Sequence, residues 1–199
     1  MNTWNARQGS FDLSISLLSY VVIGGPWSVW GASPDQGRVI VFPTAFILRG
    51  REEDGYPHLP DPIPVTIISA AAVPNPPLRE AVDDEGRRLM VYANNKSWDD
   101  MYTVVQSAVK AATVYCDVMV MSALGCGAFK HPPNEVAAIM KACIEDYGKG
   151  SWIVAVKDDH NTGMEHNPRG NVAPFREITI EQAVLKPPPP PPIPTPGPS

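Results

Sequence analysis

Val118-Met119-Val120-Met121-Ser122-Ala123-Leu124-Gly125-Cys126-Gly127-Ala128-Phe129-Lys130-His131-Pro132-Pro133 is the stretch on which the reading of this chain turns. Residues 117–122 form a short apolar run, as expected of a covered strand. The two prolines open a helix, because proline is tolerated in a first turn whose N–H groups lack partners. Val136, Ile139, Met140, Cys143, Ile144 and Tyr147 then repeat at helical spacing, and Gly148 is placed to end the helix. Between strand and helix, Gly125 and Gly127 let the backbone approach a ligand closely and point successive N–H groups inward, which makes an anion cradle. The following helix N-terminus adds partial positive charge. Strand, loop and helix in that order put the cradle beyond the carboxyl end of a strand, where open α/β sheets bind ligands. The chemistry suggested is recognition of a diphosphate by backbone groups, without a metal. The stretch differs from both common nucleotide loops. It has no Gly-x-x-x-x-Gly-Lys-Ser/Thr, and its Gly-x-Gly lacks the third glycine and the downstream acid.

Outward from this loop, the pattern is that of an α/β protein. Upstream, Ser97 can cap a helix with Asp99 and Asp100 in its first turn, followed by a stripe of Met101, Val104, Val105, Ala108, Ala111, Ala112 and Tyr115. Residues 38–48, rich in β-branched and aromatic side chains, read as a strand interrupted at Pro43. The charged, proline-rich residues 49–64 read as a surface loop, and 64–72 as a strand covered on both faces, stopped by the turn at 73–77. Residues 152–156 form a further buried strand. Strands alternating with helices over short connections predict a covered, mostly parallel sheet.

The chain of 199 residues suits one domain, residues 1–185. Nine of its 23 prolines lie between Pro187 and Pro198. Residues 186–199 are therefore expected to form an extended, disordered tail, with capture by an SH3, WW or profilin-type groove as the sharper alternative. The net charge of −5 argues against a nucleic-acid partner. Three cysteines without close-spaced pairs read as reduced thiols of an intracellular protein. No apolar run approaches the ~20 residues of a membrane span, and the first residues lack the basic start of a signal peptide. Neither a cofactor nor a metal site is expected.

The stretch Val118 to Phe129, followed by Pro132-Pro133-Asn134-Glu135-Val136-Ala137, resembles the second ligand loop of macro domains, most closely that of the microbial-type poly(ADP-ribose) glycohydrolase branch. There a buried strand runs into Gly-Ala-Trp-Gly-Cys-Gly-x-Phe and a helix begins near x-Val-Ala. Val65-Thr66-Ile67-Ile68-Ser69-Ala70-Ala71-Ala72-Val73-Pro74-Asn75 is similar to the family's strand ending in Ala-Pro-Asn, Arg38 to Phe42 to the strand before it, and Ile153 to Asp158 to its last strand. The likeness covers roughly residues 38–180, with residues 1–37 a divergent N-terminal part. It implies a three-layer α/β/α macro-domain-like fold with a mixed, mostly parallel sheet, binding ADP-ribose or an ADP-ribosylated protein. Gly125, Cys126, Gly127 and Ala128 would offer backbone N–H groups to the diphosphate, Phe129 would pack on the distal ribose, and Asn75 and Asn161 would stand at the rim.

The sequence departs from the family where its catalysis resides. That segment is a glycine-rich loop followed by Gln-Glu-Glu, and this chain has neither Gly-Gly-Gly nor Gln-Glu-Glu. Ala6-Arg7-Gln8-Gly9-Ser10 resembles the start of the family's next helix, with Gly9-Ser10 where two glutamates would stand. Neither residue can act as a general acid, which needs a carboxyl. The expectation is an ADP-ribose-binding module without poly(ADP-ribose) hydrolysis and with no catalytic residue. One alternative is an active glycohydrolase using another acid, such as Asp12 or Glu52. A second is a scaffold that recruits partners through its proline tail. Cys126 with His131 would make a nucleophile and base; the plainer reading packs Cys126 beneath the loop. Asp158-Asp159-His160 reads as a solvated loop rather than a metal site.

Overall fold

A computed structural model of the chain describes residues 21–23, 28–30, 37, 39–50, 54–157, 167 and 169–177. Eight strands and three helices are present among them. The longest pair is the hairpin of β3 (Val39–Arg49) and β4 (His58–Ala70). Short strands β1 (Val21–Ile23) and β2 (Ser28–Trp30) pair with the other edge of β3. All three pairings are antiparallel. Pro43 disturbs β3 as anticipated. The register shifts between Phe42 and Ala45, and the Thr66 hydroxyl donates to the Pro43 carbonyl at 3.3 Å.

The next pair, β5 (Leu78–Val82) and β6 (Arg88–Tyr92), is an antiparallel hairpin that the apolar pattern did not announce. Its turn is fixed by Asp83, whose carboxylate accepts from the Arg87 backbone and from Arg87 Nε, both at 2.7 Å. Helix α1 (Asn95–Tyr115) follows, then β7 (Val118–Met121), α2 (Pro133–Tyr147), β8 (Ser151–Val154) and α3 (Val172–Glu177). The cap of α1 is Asn94 rather than Ser97: Asn94 Oδ1 accepts from the Ser97 backbone at 2.9 Å.

The α/β class holds. The mostly parallel sheet does not: among the described residues only β7 and β8 pair parallel, and the other four pairings are antiparallel. The reason is local. The Gly50 N–H donates to the Pro57 carbonyl at 2.8 Å, and β3 and β4 return on each other as a hairpin. What reads in sequence as a charged loop over 49–64 is therefore strand from His58 onward.

Helix α1 ties the pieces together. Ala108 and Ala111 lie against Val39 and Val41 of the sheet. Met101, Val105 and Val109 face Val136, Ile139, Met140 and Cys143 of α2 in a second cluster. Small residues on the sheet side and larger ones on the α2 side let one helix serve both contacts. No described helix is long and apolar enough to cross a membrane. The divergent part around Gln8, Gly9 and Ser10, Asp12, Glu52, Asn161, Asp158 to His160 and the 186–199 tail lie outside the described residues.

Candidate functional site: a glycine loop anchored on a buried histidine

The loop after β7 folds as a string of tight turns. Leu124 N–H donates to Ser122, Cys126 to Ala123, Lys130 to Gly127 and His131 to Gly125, at 2.8 to 3.1 Å. Among the described residues, the amides of Gly125, Gly127, Ala128 and Phe129 donate to no backbone carbonyl. Cys126, expected to offer its N–H outward, instead uses it inside the loop. Its side chain is 1% exposed, and burial pushes the thiol up to about 12. The Cys126 and His131 pairing is thereby corrected: the thiol donates weakly to the Leu124 carbonyl at 3.8 Å, and both ring nitrogens of His131 are occupied elsewhere.

His131 is the anchor. It is 3% exposed, with Nε2 2.7 Å from the Val73 carbonyl and Nδ1 2.6 Å from the Tyr92 hydroxyl. A carbonyl oxygen only accepts, so Nε2 carries the hydrogen. Burial holds the imidazole below its ordinary pKa and keeps it neutral, so Nδ1 is the acceptor and Tyr92 donates to it. Burial also pushes the Tyr92 hydroxyl well above the usual phenol range, which keeps it a donor. The chain Tyr92, His131, Val73 links the end of β6, the entry to α2 and the segment after β4.

Gly125 closes against this histidine. Its φ is +76°, and a Cβ placed there would stand 2.7 Å from His131 Cδ2 and 3.1 Å from Ala72 Cβ. Glycine is required on both counts. On the other side of the loop, Asn75 N–H donates to the Phe129 carbonyl at 2.9 Å. Asn75 and Lys130 both adopt left-handed backbone, at φ 52° and 59°, conformations rare outside glycine. The structure thus brings Asn75 and the 125–129 loop together. Phe129 is half-buried and packs on the core cluster beneath it.

The α2 N-terminus follows directly, with Pro133 in its first turn and Glu135 its acidic residue. Burial raises the Glu135 carboxyl above its ordinary pKa, and the Arg79 charge opposes that rise. Among the described residues no group of three or more His, Cys, Asp or Glu is arranged to hold a metal ion. Tyr92 was not legible as a site residue, because 39 positions separate it from His131 and no local pattern joins them.

No family model matches the chain, and neither does any curated protein. Solved structures do. A mutant of poly(ADP-ribose) glycohydrolase from Thermomonospora curvata matches with a TM-score of 0.51 at 18% identity, over 72% of this chain and 49% of that one. Poly(ADP-ribose) glycohydrolase from Deinococcus radiodurans, crystallised in complex with ADP-ribose, matches with a TM-score of 0.50 at 22% identity, over 71% of this chain and 52% of that one. The chain spans about half the length of these structures. The fold is therefore similar to that of bacterial poly(ADP-ribose) glycohydrolases.

Proposed function

We propose that this chain is an ADP-ribose-binding module of macro type, with the three-layer α/β/α arrangement of that fold, and that it does not hydrolyse poly(ADP-ribose). The observation that carries the binding is the 125–129 loop. Its amides at Gly125, Gly127, Ala128 and Phe129 are not taken up by the loop's own turns, and a buried histidine and a strained asparagine pin it on either side. Unengaged N–H groups beside a helix N-terminus form a site for an anion such as a diphosphate. Phe129 would meet the distal ribose, with Asn75 and Asn161 at the rim. The complex of the Deinococcus radiodurans enzyme with ADP-ribose supports that choice of ligand. The resemblance of residues 6–10 to the start of the family's helix, with Gly9-Ser10 where two glutamates would stand, is the ground for proposing binding without turnover.

The test is substitution of Gly127 by phenylalanine. Gly127 takes no part in the hydrogen bonds of the Tyr92–His131 anchor, and a bulky side chain there is expected to fill the cradle. ADP-ribose affinity is expected to fall below detection while the unfolding midpoint stays near that of the parent; unchanged affinity would overturn the assignment. Incubation with ADP-ribosylated protein is expected to release no ADP-ribose.

A further inference from the structure

The 125–129 loop meets an anion with little positive charge of its own. Lys130, exposed, is the one lysine or arginine between Val118 and Asn134, and the first turn of α2 adds an acid, Glu135. A diphosphate brings two negative charges. What stands directly against the loop is His131. A Cβ placed on Gly125 would lie 2.7 Å from its Cδ2 and 3.2 Å from its Cγ, so the imidazole packs on the Gly125 backbone. The His131 N–H also donates to the Gly125 carbonyl at 3.0 Å, while the Gly125 amide donates to no backbone carbonyl among the described residues.

The surroundings of this ring accept either protonation state with the heavy atoms in place. Neutral His131 donates from Nε2 to the Val73 carbonyl at 2.7 Å and accepts at Nδ1 from the Tyr92 hydroxyl at 2.6 Å. A proton added to the Nδ1 lone pair turns the second bond round, because a hydroxyl oxygen accepts as well as donates. The Nε2 bond is unchanged. What the charged form lacks is a counter-charge. Burial keeps Tyr92 of β6 a neutral phenol and Cys126 of the loop a neutral thiol. Glu135 of α2 bonds to the Tyr92 backbone and faces the Arg79 charge from β5. Ala72 and Val73 after β4 are uncharged, and Lys130 beside the ring in sequence is itself a cation. Without an anion the imidazole therefore stays neutral.

We propose that His131 is the charge partner of the bound diphosphate: binding draws one proton from solvent onto Nδ1, and the imidazolium behind Gly125 balances the anion in front of it. This rests on the ADP-ribose reading of the loop and adds to it the property that selects the ligand's charge class. A dianion stabilises the imidazolium, whereas a neutral nucleoside or sugar does not. Opposite charges separated by a layer of backbone in a buried site interact far more strongly than in water. The binding is thereby linked to pH and strengthens as pH falls through the imidazole range.

The test follows the imidazole nitrogen NMR shifts of the histidine-labelled full chain from about pH 8 to pH 5. The series is run free and saturated with ADP-ribose, whose diphosphate does not titrate in that range. The His131 signal is assigned through its contact with the Tyr92 ring, 5.7 Å away between centroids. Its midpoint is expected to rise by about one unit or more on binding, which corresponds to affinity about tenfold or more tighter at the acid end. His58, at the end of β4 remote from Ala70, should titrate alike in both series. Calorimetry in two buffers of different ionisation heat should show net proton uptake. Saturable binding with an unmoved His131 midpoint would overturn this inference and leave the ADP-ribose reading standing; no binding at any pH would overturn both.

Discussion

The Tyr92 hydroxyl donates to Nδ1 of His131 across 2.6 Å, and the opposite nitrogen of the same ring donates to the Val73 carbonyl. Three segments distant in sequence are thereby fixed by one neutral imidazole. Tyr92→Phe leaves Nδ1 buried without a donor, and such a loss costs about 1–3 kcal/mol. Urea unfolding should show a lower midpoint with an unchanged slope. A midpoint equal to that of the parent would mean that the hydrogen bond contributes nothing.

The same histidine gives stability a pH dependence with a definite sign. Its folded pKa lies below the ordinary 6.5, so the unfolded chain takes up the proton first as pH falls. The stabilisation is full above 6.5 and is lost progressively below it, down to the folded value. Glu135 acts oppositely: its pKa is raised above 4.5, so its contribution is full below 4.5 and is lost as pH rises through the raised value. Unfolding series from pH 7.5 to 4 on the parent and on His131→Gln should differ in slope below about 6.5, with the steeper loss in the parent.

Two glycines with nearly the same φ separate strain from contact. Gly125 and Gly86 have φ of +76° and +78°, but an added Cβ at Gly86 meets nothing within 4 Å, whereas at Gly125 it meets His131 at 2.7 Å. Gly86→Ala is expected to cost about 1–2 kcal/mol, the backbone penalty alone. Gly125→Ala should cost more, because His131 sits between two hydrogen bonds and cannot retreat without breaking one. Thermal unfolding of the pair gives the difference; equal losses would mean that the loop relaxes around the methyl group.

The thiols should react in order of burial. Cys126 and Cys143 are buried and both are pushed up to about 12, while Cys116 is partly exposed. Mass spectrometry after brief exposure of the native chain to iodoacetamide should find one modified residue, Cys116. Early labelling of Cys126 would place its side chain in the ligand loop rather than beneath it.

Much of the fold is legible in the sequence, for physical reasons that differ by element. The stripes of α1 and α2 announced themselves because buried helices repeat apolar residues every three to four positions, and Pro133 marks its own place in a first turn. The ligand loop was visible through its glycines. The β5–β6 hairpin was not, since the adjacent charges Arg79 and Glu80 break the alternation of Leu78–Val82 and the strand buries little. The length of β4 was hidden by its prolines, which read as loop until an edge is available to tolerate them. The His131 anchor was invisible because its partners, Tyr92 and Val73, come from elsewhere in the chain.

Calorimetric titration of the full chain with ADP-ribose, with AMP and ribose 5-phosphate run beside it, asks whether the 125–129 loop grips the diphosphate of ADP-ribose. Micromolar binding of ADP-ribose is expected, about −8 kcal/mol, with both fragments much weaker because each carries only part of what the loop and its rim recognise. No heat with ADP-ribose, together with no shift in its unfolding temperature, would contradict it.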